Sequence, residues 1–328
     1  MHPSEKHREM ELDSRSANNV DLPPPSGSSE KKKGLSAATI IPIWIALSSS
    51  VILFNKYLFT TLEFPYPVFL TTWHMTVAAI GTRLLRQFTP LLKGLDDVVI
   101  SRDMYIRSIL PIGALFSGSL ILSNMAYLSL SVAFIQMLKA FTPVAILLIS
   151  FAFKLQEPNR KLGAIIGMIS VGCALAAYGE VSFRPFGFIC QTLAVVFESS
   201  RLVMIQILLH GLKMDPLVSL YYYAPVCAII NACIVPFTEG FTPFIEFLRV
   251  GPIVMLINAG VAFSLNVAAV FLIGASSGLV LTLAGVFKDI LLISSSSLIF
   301  GTVVMPLQIF GYAIALGGLM LFKLSGAK

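Results

Sequence analysis

Three basic side chains, Lys139, Arg201 and Lys288, stand within long apolar stretches, and the acids Glu198 and Asp289 stand close to two of them. On insertion scales each charge at a helix centre costs about 2.5–3.5 kcal/mol. Such residues should face a wet cavity or a partner. Separate Lys and Arg donors are a natural match for a phosphate or pyrophosphate. If all five groups are ionised and line one cavity, one positive charge is left over, and Lys56 makes it two. A cavity of that bias binds an anion.

Local spacing sharpens each candidate. Gln136 precedes Lys139 by three residues, so both lie on one helical face. Pro143, one turn beyond, removes a backbone donor and frees the Lys139 carbonyl. Lys139 therefore either binds an anion or pairs with an acid on another helix. Lys288 and Asp289 are adjacent, about 100° apart on a helix, and need not pair well. Gly285, one turn earlier, leaves space for a ligand or a close helix. Glu198 and Arg201, three apart, can pair along one face, which suits a structural pair as well as a binding one. Lys56, with Asn55 before it, lies at the end of its span and can snorkel to the interface. His74 reads as a satisfied packing residue, and His210 belongs to no constellation. The chain shows no phosphate-binding glycine loop, metal-ligand cluster or nucleophile–base arrangement. No metal and no cofactor are expected, the chain does not read as an enzyme, and any transport is driven by exchange or by a gradient.

The elements that must hold these residues are membrane helices. Of 328 residues 56% are hydrophobic and 12% charged, with mean hydropathy +0.84. Twelve of the 40 charged side chains lie in residues 1–35, so the remaining residues have too few to cover a soluble globule. That excludes a cytosolic enzyme, a secreted disulfide scaffold and a nucleic-acid-binding domain. Cys173, Cys190, Cys227 and Cys233 lie in apolar runs without CxxC spacing and read as small buried residues. Residues 1–35, polar and ending in Lys31-Lys32-Lys33, form a disordered tail.

A ruler of about 20 apolar residues gives ten spans, at 36–59, 66–86, 105–129, 131–152, 161–179, 185–209, 216–237, 251–272, 277–299 and 304–323. The boundary between the third and fourth falls near Leu130. Placing the tail in the cytosol puts 17 Lys and Arg on that side against two, Arg184 and Arg249, on the other. Both termini then face the cytosol. Residues 36–180 and 185–324 hold five spans each, so the halves would be inverted relative to one another. Ile146–Ser150 and Ile290–Ser294 share the string ILLIS.

Phe54-Asn55-Lys56-Tyr57, Phe64-Pro65-Tyr66-Pro67 through Thr71 and His74, Ser131-Val-Ala-Phe with Lys139-Ala, Glu198–Arg201, Phe263-Ser-Leu-Asn266 and Gly285-Val-Phe-Lys288-Asp289 resemble one family. It is the nucleotide-sugar/triose-phosphate translocator family of the drug/metabolite transporter superfamily, and the likeness runs over residues 38–324. The resemblance implies an all-α membrane fold, ten helices in two inverted five-helix repeats, and strict exchange of phosphorylated metabolites. In plastid members a lysine, an arginine and a Lys-Arg pair hold the phosphate, at the positions of Lys139, Arg201 and Lys288. Two departures stand out: Asp289 replaces the second residue of that pair, and Gln136 stands where plastid members have histidine. The Lys-Asp pattern resembles a subgroup with UDP-sugar carriers.

The leading expectation is therefore an antiporter of the Golgi or endoplasmic reticulum, exchanging a nucleotide sugar, a UDP-sugar first, for a nucleoside monophosphate. Its substrate-binding residues would be Lys139, Arg201, Lys288, Asp289, Gln136 and Asn266, supported by Glu198, Lys56, Asn55 and Gly285. An alternative is exchange of a sugar phosphate or phosphoenolpyruvate for phosphate. A third, of another class, is a non-transporting membrane scaffold or receptor. The partners expected are an anionic small molecule and the lipid bilayer, without nucleic acid; a homodimer is one admissible assembly.

Overall fold

Prolines mark where many of the helices begin. Pro67, Pro185, Pro216, Pro252 and Pro306 each open one, at a position where the missing N–H removes no hydrogen bond and the fixed φ is already helical. The computed structural model describes residues 37–96, 100–155, 159–181, 183–208, 216–275 and 278–324. The tail, His210, Lys213 and Lys328 lie outside them. The helices are α1 (Ala37–Thr60), α2 (Pro67–Phe88), α3 (Arg102–Ser129), α4 (Val132–Lys139), α5 (Thr142–Ala152) and α6 (Arg160–Tyr178). They continue with α7 (Pro185–Leu208), α8 (Pro216–Thr238), α9 (Thr242–Val250), α10 (Pro252–Ala275), α11 (Gly278–Phe300) and α12 (Pro306–Leu324). Among the described residues there is no strand.

Among the described residues, seven helical segments are long and apolar enough to cross a bilayer, counting Val132–Ala152 as one across its internal break. The helices coincide with the stretches marked as spans in the sequence, and the boundary near Leu130 falls where expected. α3 stops at Ser129, and Ser131 caps α4 by accepting from the Phe134 N–H at 3.1 Å. The short helix α9 was not expected. It is too short to span, and its Phe244, Ile245 and Leu248 are exposed. The pattern of an interfacial helix, one apolar face over a ruled-off length of nine residues, is lost when only spans are sought.

Helices from the first part of the chain pack mainly against helices from the second. The most extensive pairs are α6 with α12, α3 with α7, α2 with α8 and α1 with α10; α4 meets α11 and α5 meets α7. Between α6 and α12 small residues let the backbones touch. A Cβ on Gly172 would lie 2.5 Å from the Ala315 nitrogen, and one on Gly311 would lie 2.6 Å from that of Ala176.

At one end of the bundle the α1–α2 connection is tied to the stretch around α9. The Glu239 carboxylate accepts from the Val68 and Phe69 N–H groups, at 2.7 and 2.8 Å, at the start of α2, where the helix dipole favours a negative charge. Burial pushes the Glu239 carboxyl above its usual range, and the two N–H donors pull it back. Arg249 donates to the carbonyls of Leu62 and Glu63, at 3.0 and 2.8 Å. Cys173, Cys190 and Cys227 are buried as expected, but Cys233 is exposed on α8. An apolar run alone does not say which of its residues face inward.

Candidate functional site

The centre of the site is a break in a helix. Pro143 has no N–H to donate to the Lys139 carbonyl, and the helix stops at Lys139 and restarts at Thr142. A tight turn fills the gap, with Phe141 N donating to the Leu138 carbonyl at 3.0 Å. Lys139 thus sits on the last residue of α4 beside the first turn of α5, whose dipole adds positive potential.

Lys139 is held loosely. Its Nζ donates to the Tyr127 hydroxyl at 3.5 Å, the long limit of such a bond, and lies 5.7 Å from the centroid of that ring. Gln136 donates to the same hydroxyl at 3.1 Å. Among the described residues no carboxylate lies within ion-pair distance of Lys139. Of its two sequence readings, pairing with an acid on another helix is therefore not what the structure contains.

Two cavities meet at this lysine. One, of about 290 Å³, is lined by Lys139 with Ser119, Ser123, Thr142, Gln191 and Glu198. The other, of about 230 Å³, is lined by Lys139 with Asn55, Thr71, His74, Asn124, Tyr127 and Asn266. Both also touch Phe116 and Leu120 on α3. The neutral amides and hydroxyls around each can meet hydroxyl or carbonyl groups of a ligand, while Lys139 supplies the charge.

Arg201 borders the first cavity through its partner. Its guanidinium makes a two-point contact with Glu198, including Nε to Oε2 at 3.1 Å, and lies 4.6 Å from the centroid of the Phe116 ring. Ser119 donates to the same carboxylate at 3.2 Å. The expected i, i+3 pair is present, so Arg201 carries its own counter-charge.

Lys288 and Asp289 pair despite being neighbours, with Nζ 3.0 Å from Oδ1. The sequence reading, that adjacent residues need not meet, overlooks the reach of a lysine bent across the helix surface. The Lys288 ammonium also lies 5.7 Å from the centroid of Trp44 on α1. Neither residue lines the two cavities at Lys139, although their helix packs on α4. A Cβ on Gly285 would meet nothing within 4 Å, so space remains one turn before the pair.

Lys56 does not snorkel. It is 9% exposed and donates to the carbonyls of Tyr127 and Leu130 at 2.6 and 3.1 Å. These carbonyls end α3, where no helical N–H follows to satisfy them. Behind it, a buried polar chain ties four helices together. Asn258 on α10 donates to Asn55 on α1 at 3.0 Å, Asn55 to Asn124 on α3 at 3.4 Å, and Asn124 to Thr71 on α2 at 2.9 Å. His74 is hydrogen-bonded to Asn258 at 2.5 Å, a satisfied packing residue as expected. Asn266 donates to the Ala262 carbonyl at 2.9 Å and lines the second cavity. Sequence reasoning missed Tyr127, Asn124, Asn258 and Trp44. Their only signal is an amide or aromatic ring in an apolar run, which packing explains equally well.

Comparisons with known proteins fit this architecture. The model of the Triose-phosphate Transporter family matches residues 35–323. Two proteins of Arabidopsis thaliana, each described as a probable sugar phosphate/phosphate translocator, are 42% identical over 299 residues and 41% identical over 305. The alignments cover 87% and 89% of this chain and 82% and 84% of those proteins. A solved crystal structure overlays with a TM-score of 0.50 at 19% identity, over 88% of this chain and 96% of that one, which speaks to the fold alone. The chain is therefore a multi-pass membrane protein and a transporter rather than an enzyme: it belongs to the triose-phosphate transporter family.

Proposed function

We propose that the protein exchanges a small phosphorylated metabolite, such as a sugar phosphate, for inorganic phosphate. The observation that carries this reading is Lys139. In a bundle where Arg201 is matched by Glu198 and Lys288 by Asp289, it is, among the described residues, the cation at the cavities without an acid within ion-pair distance, and it borders both. Its natural complement is a mobile anion. The relatives described as sugar phosphate/phosphate translocators point the same way.

The exchange of a nucleotide sugar for a nucleoside monophosphate, expected from the resemblance of the Lys-Asp pattern to a subgroup with UDP-sugar carriers, gains no support from those relatives. Asp289 is occupied by Lys288 and so does not by itself mark a sugar or ribose site.

The transport cycle we infer uses ten crossings in two inverted five-helix halves. The packing supports it. Exchanging α1 with α7, α2 with α8, α3 with α10, α4–α5 with α11 and α6 with α12 maps the most extensive packed pairs onto one another. α3 on α7 becomes α10 on α1, while α2 on α8 and α6 on α12 map onto themselves. A midplane site between such halves serves alternating access, with both termini cytosolic, as the distribution of Lys and Arg suggests. An endomembrane location rests on a different reading, the resemblance of the Lys288-Asp289 pattern to a subgroup of the family.

The test is counterflow in proteoliposomes preloaded with inorganic phosphate, UMP or GMP. Phosphate loading is expected to drive uptake of a labelled sugar phosphate. Uptake of a nucleotide sugar driven only by UMP or GMP would replace this reading with the other.

A further inference from the structure

The turn after α2 is built to a fixed shape. Thr89 donates through Oγ1 to the Leu85 carbonyl at 2.7 Å, and the same oxygen accepts from the Leu91 N–H at 3.4 Å. Pro90 then opens a short 3₁₀ helix, Pro90–Leu95, whose Leu92 and Leu95 are buried in the cluster that holds Leu217 and Leu220 of α8. The chain thus turns at an anchored point, and a cavity of about 390 Å³ lies in the bend. Its lining includes Arg86, Gln87, Phe88, Thr89, Lys93 and Asp96, none of which borders the cavities at Lys139.

The charges here suit a single anion. Arg86 is positioned from α8: Nη1 donates to the Tyr221 hydroxyl at 3.1 Å, and the guanidinium lies 5.7 Å from the centroid of that ring. Asp96 reaches Arg86 only at 3.9 Å, with both side chains more than half exposed, a contact that contributes little. Among the described residues no carboxylate lies within ion-pair distance of Lys93. Two cations against one acid leave one positive charge, and the arginine fork has further N–H donors to offer a phosphate.

An apolar path leads away from the cavity. Ile80, Leu84 and Phe88 of α2 are 54%, 50% and 74% exposed, while Ala78, Ala79 and Thr82 of the same helix are buried. A spacing of four puts the three exposed side chains in one stripe, which ends at the cavity because Phe88 belongs to both. A free phosphate gains nothing from such a stripe, whereas an acyl chain does. The distribution of Lys and Arg assigns this end of the bundle to the cytosol, the face where acidic lipids concentrate.

We propose that the cavity binds the head group of an acidic phospholipid, its phosphate on Arg86 and Lys93 and an acyl chain along Ile80, Leu84 and Phe88. Asp96 opposes additional phosphates, so the fit is to a head group of one net negative charge, such as that of phosphatidylserine. The site is separate from the one at Lys139 and is tested without transport.

The test is native mass spectrometry of the purified full chain in detergent, with phosphatidylserine and phosphatidylcholine of identical acyl chains supplied at equal concentration. The parent is expected to retain phosphatidylserine over phosphatidylcholine by about tenfold, the pull of two basic side chains at a membrane surface. Arg86→Gln with Lys93→Gln should bring that ratio below about twofold. Arg102→Gln with Arg107→Gln removes two exposed charges outside the cavity and should leave the ratio unchanged. Equal retention of the two lipids by the parent, which needs no substitution to read, overturns the proposal. So does an equal loss in both double variants, which would reduce the effect to general surface charge. Displacement of phosphatidylserine by an equal concentration of inorganic phosphate would assign the cavity to the free ion and overturn the lipid reading as well.

Discussion

Two lysines meet at Tyr127, one buried and one half-buried, and they live differently. Lys56 reaches the backbone carbonyl of that residue and the carbonyl of Leu130, both at the end of α3. Lys139 reaches only the phenolic hydroxyl, at 3.5 Å, and looks out on two cavities. The first lysine has permanent partners supplied by the fold, and its charge is absorbed by the carbonyls at the end of α3. The second has a weak neutral partner, so its charge remains available. A cation inside a membrane protein is thus marked as a substrate ligand less by its depth than by what already holds it. Arg201 and Lys288 stand between these extremes, each matched by a carboxylate that a phosphate would have to displace or share.

That contrast can be broken experimentally. The largest effect is expected from Lys139→Met, which should lower phosphate exchange by at least about a hundredfold, the loss of a charge-assisted contact to a phosphate. Its thermal midpoint should hold, since the substitution removes a charge that has no acid to pair with. Lys56→Met should show the reverse pattern. It leaves two buried carbonyls without their donor and should destabilise the fold by about 1–3 kcal/mol, read as a lower thermal midpoint, with KM near that of the parent in the protein that remains folded. Glu198→Gln should have the smallest effect, a change in KM of a fewfold. It frees Arg201 from its counter-charge but keeps a hydrogen-bonding group beside Ser119. A tighter KM there would sharpen the view that Glu198 competes with the substrate for Arg201.

How much of this was visible in the sequence depends on how local each feature is. The break at Lys139 was legible because one proline suffices to make it. The Glu198–Arg201 pair was legible because three residues along a helix fix a shared face. The partners of Lys56 were not, since Leu130 is 74 residues away and only the packing of α1 on α3 brings the two together. The chain from Asn258 through Asn55 and Asn124 to Thr71 was hidden for the same reason, as it draws one amide or hydroxyl from each of four helices. Tyr127 and Tyr312 were hidden differently. An aromatic residue in an apolar run reads as packing, and only the structure separates the Tyr127 hydroxyl, which holds two donors, from that of Tyr312, which has no partner among the described residues. The nucleotide-sugar expectation drew on the Lys288-Asp289 pattern and on Gln136, and the relatives described as sugar phosphate/phosphate translocators do not support it.

The most direct test of the central claim is uptake of radiolabelled phosphate into phosphate-loaded proteoliposomes, with the parent protein, Lys139→Met and Lys56→Met compared at equal amounts of folded carrier. Exchange by the parent and by Lys56→Met, with none above background for Lys139→Met, is the predicted result. Full exchange by Lys139→Met would contradict it and remove Lys139 from the site.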